Sequence, residues 1–189
     1  GTIVGAVALT SSSSQAQAPD DPDRFVAAVC SLFKGTSRAE SCARSEGPTI
    51  KYILAYSQKR GIDPFTAATV PFQESSYRRV LGDGGYACGM GQIHARWEIK
   101  RKDDEGAVAF ADRVGGVCVK LMTDDQYTVR VIVRRLIFAR DKDPAKDPVV
   151  KQIWRYKLPF GDPDEKASRV YFRRHNKIRS RIVAAYGND

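Results

Sequence analysis

The sequence predicts an all-α chain folded as one domain, with at most a tiny hairpin interrupting the helices. Three observations carry this. Apolar residues recur at helical three- and four-residue spacing through most of residues 24–186. Strand-type alternation is almost absent, and no internal repeat or linker divides that span. With 189 residues, 42% of them hydrophobic, the chain has the size of one domain and enough apolar material for a substantial core.

After the acidic, Pro-containing stretch Pro19–Asp23, residues Phe25, Val26, Val29, Leu32 and Phe33 mark a first helix that stops at Gly35. A polar segment leads to Pro48-Thr49, which opens a second helix with Ile50, Ile53 and Leu54 on one face. Gly61 ends it, at the position of a left-handed cap. Asp63 and Pro64 have the cap and first-turn character of a third helix, which carries Phe65, Ala68, Val70 and Phe72 to about Glu74. Pro71 falls inside this helix and is expected to kink its last turn. Five glycines in the eleven residues Leu81–Gly91 forbid a regular helix and predict a compact loop or small hairpin. Beyond Trp97 the helical period returns over Ala107–Met122 and Tyr127–Ala139. Asp141–Pro148 reads as a charged connector, Val149–Tyr156 as a short helix and Leu158–Pro163 as a turn. Lys166–Tyr186 reads as a long basic amphipathic helix.

Lys and Arg total 31 against 22 Asp and Glu, a formal charge of +9, which favours an anionic partner without naming it. The first eighteen residues carry none of this charge. A small apolar run (Ile3, Val4, Val7, Leu9) is followed by Ser11–Ser14 and Ala16-Gln17-Ala18, the order of the apolar region and cleavage end of a secretion signal. Residues 1–18 are therefore expected to be the remnant of such a signal, or otherwise a disordered tail, and 19–189 the domain itself. No later apolar run reaches the roughly 20 residues that span a bilayer, so no stable membrane insertion is expected.

The four cysteines, Cys30, Cys42, Cys88 and Cys118, never form the C-x-x-C knuckle of structural zinc sites, and no metal is expected. In an exported chain they form two disulfides with three conceivable connectivities. The favoured one pairs Cys30 with Cys42, closing a short Ser-rich loop, and Cys88 with Cys118.

The chemistry is concentrated in Pro71-Phe72-Gln73-Glu74-Ser75-Ser76-Tyr77 and in Gly82-Asp83-Gly84-Gly85-Tyr86-Ala87-Cys88-Gly89-Met90-Gly91-Gln92-Ile93-His94. A carboxylate at the end of an apolar helix meets the negative end of the helix dipole and a surface poor in water. Both disfavour its anion. Such a Glu can hold a proton at neutral pH and deliver it to the leaving oxygen of a glycosidic bond. The Gly-rich loop just after the helix lets backbone come close to a long polymer, whose hydroxyl and N-acetyl groups its amides and carbonyls can hold.

On these residues the chain resembles lytic transglycosylases and goose-type lysozymes. The likeness rests on Glu74-Ser75-Ser76-Tyr77 with Gly89-Met90-Gly91-Gln92-Ile93, runs from Ile50 to Trp97 and is weak beyond. The transglycosylase pattern has a Glu, a Ser nine residues on, an Ala-x-Gly, and a Gln eighteen residues on. Glu74, Asp83, Ala87, Gly89 and Gln92 stand at those offsets, with Asp83 in place of the Ser. The resemblance implies a lysozyme-like helical domain that cuts peptidoglycan between N-acetylmuramic acid and N-acetylglucosamine, without cofactor or metal. It makes Glu74 the catalytic acid and base, and Asp83 a second carboxylate or a turn-shaping residue. Tyr86, Met90, Gln92 and His94 would line sugar subsites. His94 stands where goose-type enzymes carry another Asp, so the lysozyme carboxylate set is incomplete. The family's later Ala-Tyr-Asn motif is poorly matched, Tyr156 being the nearest candidate and Tyr171 of similar standing; either reaches the Glu or substrate, or is a core tyrosine.

The resemblance thus predicts an exported monomer, periplasmic or extracellular, with glycan strands as partner and no nucleic acid. An anhydro-forming transglycosylase is expected first and a hydrolase using Glu74 with Asp83 second. The rival is a non-catalytic wall- or nucleic-acid-binding protein, motivated by Arg134-Arg135 and the basic run Arg173–Arg181. A dinucleotide site at Gly82-x-Gly84-x-x-Ala87 lacks the preceding strand, and neither G-x-S-x-G nor H-E-x-x-H occurs.

Overall fold

A computed structural model of the chain describes residues 18–141, Ile153, Tyr156 and 166–188. The expected leader (1–18) apart from its last residue, and the expected connector, short helix and turn (141–163) apart from the helical Asp141 and the buried Ile153 and Tyr156, lie outside these residues.

Helix α1 (Pro22–Cys30) starts inside the acidic stretch expected to precede it because Asp21 Oδ1 accepts from the amides of Asp23 and Arg24, at 2.9 and 3.1 Å, and Pro22 needs no donor. It runs into a 3₁₀ turn, Ser31–Phe33, and the Cys30–Cys42 disulfide ties it to the short helix α2 (Cys42–Ser45). Helix α3 (Gly47–Lys59) buries Ile50, Ile53 and Leu54. It ends in a Schellman motif: Gly61, at φ +63°, donates to Gln58, and Ile62 donates to Ser57.

Helix α4 (Pro64–Ser75) is the centre of the molecule. Ten of its twelve residues are buried, so it is covered on almost every side, as a helix apolar all round must be. Asp63 caps its start through Phe65 N and Thr66 N, and is held in turn by Arg179 Nε at 2.8 Å. Pro71 sits one turn from the end, where its missing donor interrupts little of the ladder.

Beyond α4 the Gly-rich stretch folds as three two-residue antiparallel strands, β1 (Leu81–Gly82), β2 (Ala87–Cys88) and β3 (Ile93–His94), in that order across the sheet. This is one strand more than a hairpin. Cys88 pairs with both Leu81 and Ile93, and Ala87 with Gly82 and His94. A 3₁₀ turn (Ala95–Glu98) leads on to helix α5 (Ala107–Thr123), which the Cys88–Cys118 disulfide fastens to β2 with the two Cα atoms 5.5 Å apart. Helix α6 (Asp125–Asp141) buries Val129, Ile132, Val133 and Leu136. Helix α7 (Lys166–Gly187) packs along α4 and α1 through His175, Ile178 and Ile182, leaving Arg173, Arg174, Lys177 and Arg181 in solvent. Among the described residues the fold is thus mostly helical, no helix is long and apolar enough to cross a membrane, and all four cysteines are paired as favoured above.

Candidate active site

Glu74 is the penultimate residue of α4 and is half-buried. The chain leaves the helix there through an unusual turn. Ser76 N donates to Phe72 O and Tyr77 N to Pro71 O, a Schellman pattern in which Ser76 occupies the left-handed position that glycine normally fills. Tyr77 is left-handed too, as are Asp83 and Gln92. The four non-glycine residues with positive φ all fall between positions 76 and 92 among the described residues. Each costs about 1–2 kcal/mol, so the surroundings must hold them. Tyr77 does so by complete burial and a 2.8 Å hydrogen bond to Ala68 O. Arg38 donates to Ser76 O, and Arg78 Nε to Ser75 O at 3.0 Å.

Among the carbonyls of the helix end, Pro71 O and Phe72 O accept from backbone amides and Ser75 O and Ser76 O from arginines. Facing Glu74 is Tyr171 of α7, whose hydroxyl donates to Glu74 Oε1 at 2.6 Å. Burial and the facing Glu74 carboxylate push Tyr171 well above the ordinary phenol value, so it remains a proton-bearing donor. Beside them Gln73 donates from Nε2 to Tyr171 O at 3.2 Å and places Oε1 3.2 Å from His175 Nδ1. His175 is fully buried; burial first, and Arg179 second, lower its pKa to about 3, so the ring is neutral. Its Nδ1–H then donates to Gln73 and fixes the amide orientation.

The Gly-rich loop is pinned against this helix end from beneath. Ser75 Oγ donates to Met90 O at 2.9 Å and Tyr156 Oη to Gly91 O at 2.9 Å. Gly89, at φ +73°, lies so close to Leu121 O that a Cβ would overlap it. Gln92 folds back over Gly82, and its amide donates to Val80 O and Gly89 O, both at 3.0 Å. The residues expected near the sugar divide, and Tyr156 takes the second of its two expected roles, the core tyrosine. Met90 and Tyr156 are buried, one packed under the loop and the other holding it from the core, so their side chains do not face a ligand. Gln92 staples the loop, while Tyr86 stands out in solvent. Asp83 Oδ2 lies 2.9 Å from His94 Nε2, so the second carboxylate is partnered by the imidazole.

Gln73 and His175 escaped sequence reading although Gln73 adjoins Glu74 and His175 falls one turn after Tyr171. The spacing of Tyr171, His175, Ile178 and Ile182 was the signal that all four face one partner. Arg134 and Arg135 both bond Glu98, the latter through two nitrogens at 2.9 and 2.6 Å, while Arg134 stays largely exposed. A cavity of about 450 Å³ lined by Asp20, Arg24, Phe65 and Tyr186 touches α4 only at its start. Glu74 is nine residues further on, roughly 13 Å at a helical rise of about 1.5 Å per residue, so this cavity is separate from it. Compared with known protein families, curated proteins and solved structures, the chain gives no match.

Proposed function

We propose that the protein cleaves peptidoglycan glycan strands at the bond from N-acetylmuramic acid to N-acetylglucosamine, as a lytic transglycosylase, with Glu74 as acid and then base. The observation that carries this reading is Glu74 at the end of a buried helix, hydrogen-bonded to Tyr171 at 2.6 Å and adjoining a strained, braced Gly-rich loop. Protonated Glu74 gives its proton to the glycosidic oxygen as the C1–O bond breaks. The resulting carboxylate then takes the proton of the muramoyl 6-hydroxyl, whose oxygen closes onto C1. The products are a free 4-hydroxyl end and a 1,6-anhydro end, and no water is consumed. Tyr171, which keeps its own proton, orients the carboxyl through both steps.

In the hydrolytic alternative a water is placed by Glu74 or Asp83, and Asp83 Oδ2 already faces His94 at 2.9 Å, which leaves Oδ1 as its acceptor. A single carboxylate at the end of α4, Glu74, favours the anhydro route. The +9 charge suits an anionic wall polymer, and two disulfides fit an oxidising compartment, periplasmic or extracellular. Mass spectrometry of fragments released from purified cell wall tests the reading. Ends lighter by one water are expected, as is a loss of release of at least about a hundredfold in Glu74→Gln. Unchanged release by that variant would falsify the assignment of Glu74.

A further inference from the structure

Trp97 lies in the 3₁₀ turn that follows β3, and 55% of it is exposed. An exposed indole is ordinarily free to change rotamer. This one is stacked on His94, ring centroids 4.7 Å apart and planes within 14°, and His94 is held in turn by Asp83 Oδ2 at 2.9 Å. The strand register explains the reach: His94 and Gly82 flank Ala87 in neighbouring strands, and Asp83 follows Gly82 directly. A flat ring, more than half exposed and braced by a stacked neighbour, thus stands beside a histidine–carboxylate pair. Tyr86, 73% exposed, stands on the turn joining β1 to β2 of the same sheet.

We propose that the His94–Trp97 pair is a pyranose-stacking subsite that takes one ring of the glycan strand, with Asp83 accepting from a ring hydroxyl. This rests on the glycan reading above and adds to it a residue, Trp97, that fixes where the strand lies. A stacked indole serves a nucleic-acid base equally well. Asp83 decides against that ligand, because a carboxylate beside the ring repels a phosphodiester and accepts from a sugar hydroxyl. A protein partner needs a wider apolar surface than one indole followed by the exposed Lys100, Arg101 and Lys102.

The test is calorimetric titration of Glu74→Gln protein, which binds without cutting, with soluble uncrosslinked glycan strands. Adding Trp97→Ala is expected to weaken binding about tenfold. Trp97→Phe, which keeps a flat ring, should stay within about threefold of the parent, while Trp97→Leu, apolar but not flat, should bind as weakly as the alanine variant. Parent-level binding by Trp97→Leu overturns the subsite, as does Trp97-dependent binding of a single-stranded oligonucleotide with none of glycan. The two readings fail separately. Cleavage that survives Glu74→Gln beside Trp97-dependent glycan binding removes the mechanism and keeps the subsite; Glu74-dependent cleavage with Trp97-independent binding does the reverse.

Discussion

Tyr171 is the residue on which the site geometry turns, because its hydroxyl is the donor at Glu74 Oε1. Hydrogen bonds to charged groups contribute about 1.5–3 kcal/mol, so Tyr171→Phe should lower the cleavage rate about ten- to a hundredfold while leaving the fold intact. A fall in KM-independent rate with an unchanged circular dichroism spectrum is the expected pair of results; loss of the spectrum would make Tyr171 purely structural. His175 makes a different prediction. Its folded pKa of about 3 lies below the ordinary imidazole value of about 6.5, so the unfolded chain takes up a proton that the native ring refuses. Stability from this residue is complete above about pH 6.5 and is lost as the pH falls toward 3, at up to about 1.4 kcal/mol per pH unit. Asp125 acts in a lower window. Burial opposes its charge, but Arg79 and Thr49 hold its pKa below 3.8, so its contribution fades only beneath that value. Denaturant midpoints measured from pH 7 to 4 should therefore fall in the native protein and be markedly flatter in His175→Leu.

At the scale of elements, the glycines of the loop differ in what they do, and substitution separates them. Gly89 combines positive φ with the Leu121 carbonyl against its Cα, so Gly89→Ala should cost about 2–4 kcal/mol and displace the loop from the end of α4. Gly84, with φ +66° and nothing within 4 Å, should lose only the conformational cost of about 1–2 kcal/mol. Equal unfolding midpoints for the two variants would show that loop packing against α5 is unimportant. The helix start at Asp63-Pro64 and the stop at Gly61 were legible in the sequence because a cap acts within four residues of itself. The stop of α4 was legible in place but not in form. Nothing local marks Ser76 and Tyr77 as left-handed; burying the Tyr77 ring offsets that strain, and burial is not a local property.

Across the whole molecule, the two disulfides hold different things. Cys30–Cys42 closes a short loop at a separation of 12, and Cys88–Cys118 joins β2 to α5 at a separation of 30. Loop-closure entropy gives about 3 kcal/mol for the first and between about 3 and 4 for the second. Replacing both Cys88 and Cys118 by Ser should thus destabilise the protein slightly more in guanidinium, and should also reduce cleavage, because β2 carries the loop. The Cys30/Cys42 double variant should lose stability and keep its rate. What the sequence determined unaided was whatever a short stretch of chain decides: helical class, helix ends, a Gly-rich break after Glu74 and an excess of positive charge. What only the tertiary structure decided was who meets whom. Tyr171 lies 97 residues from Glu74 and His175 lies 102 from Gln73, and Met90 and Tyr156 turn inward rather than toward a ligand. Periodicity states which face of a helix is apolar, but a contact exists only once two such faces exclude water together, and that depends on every helix at once.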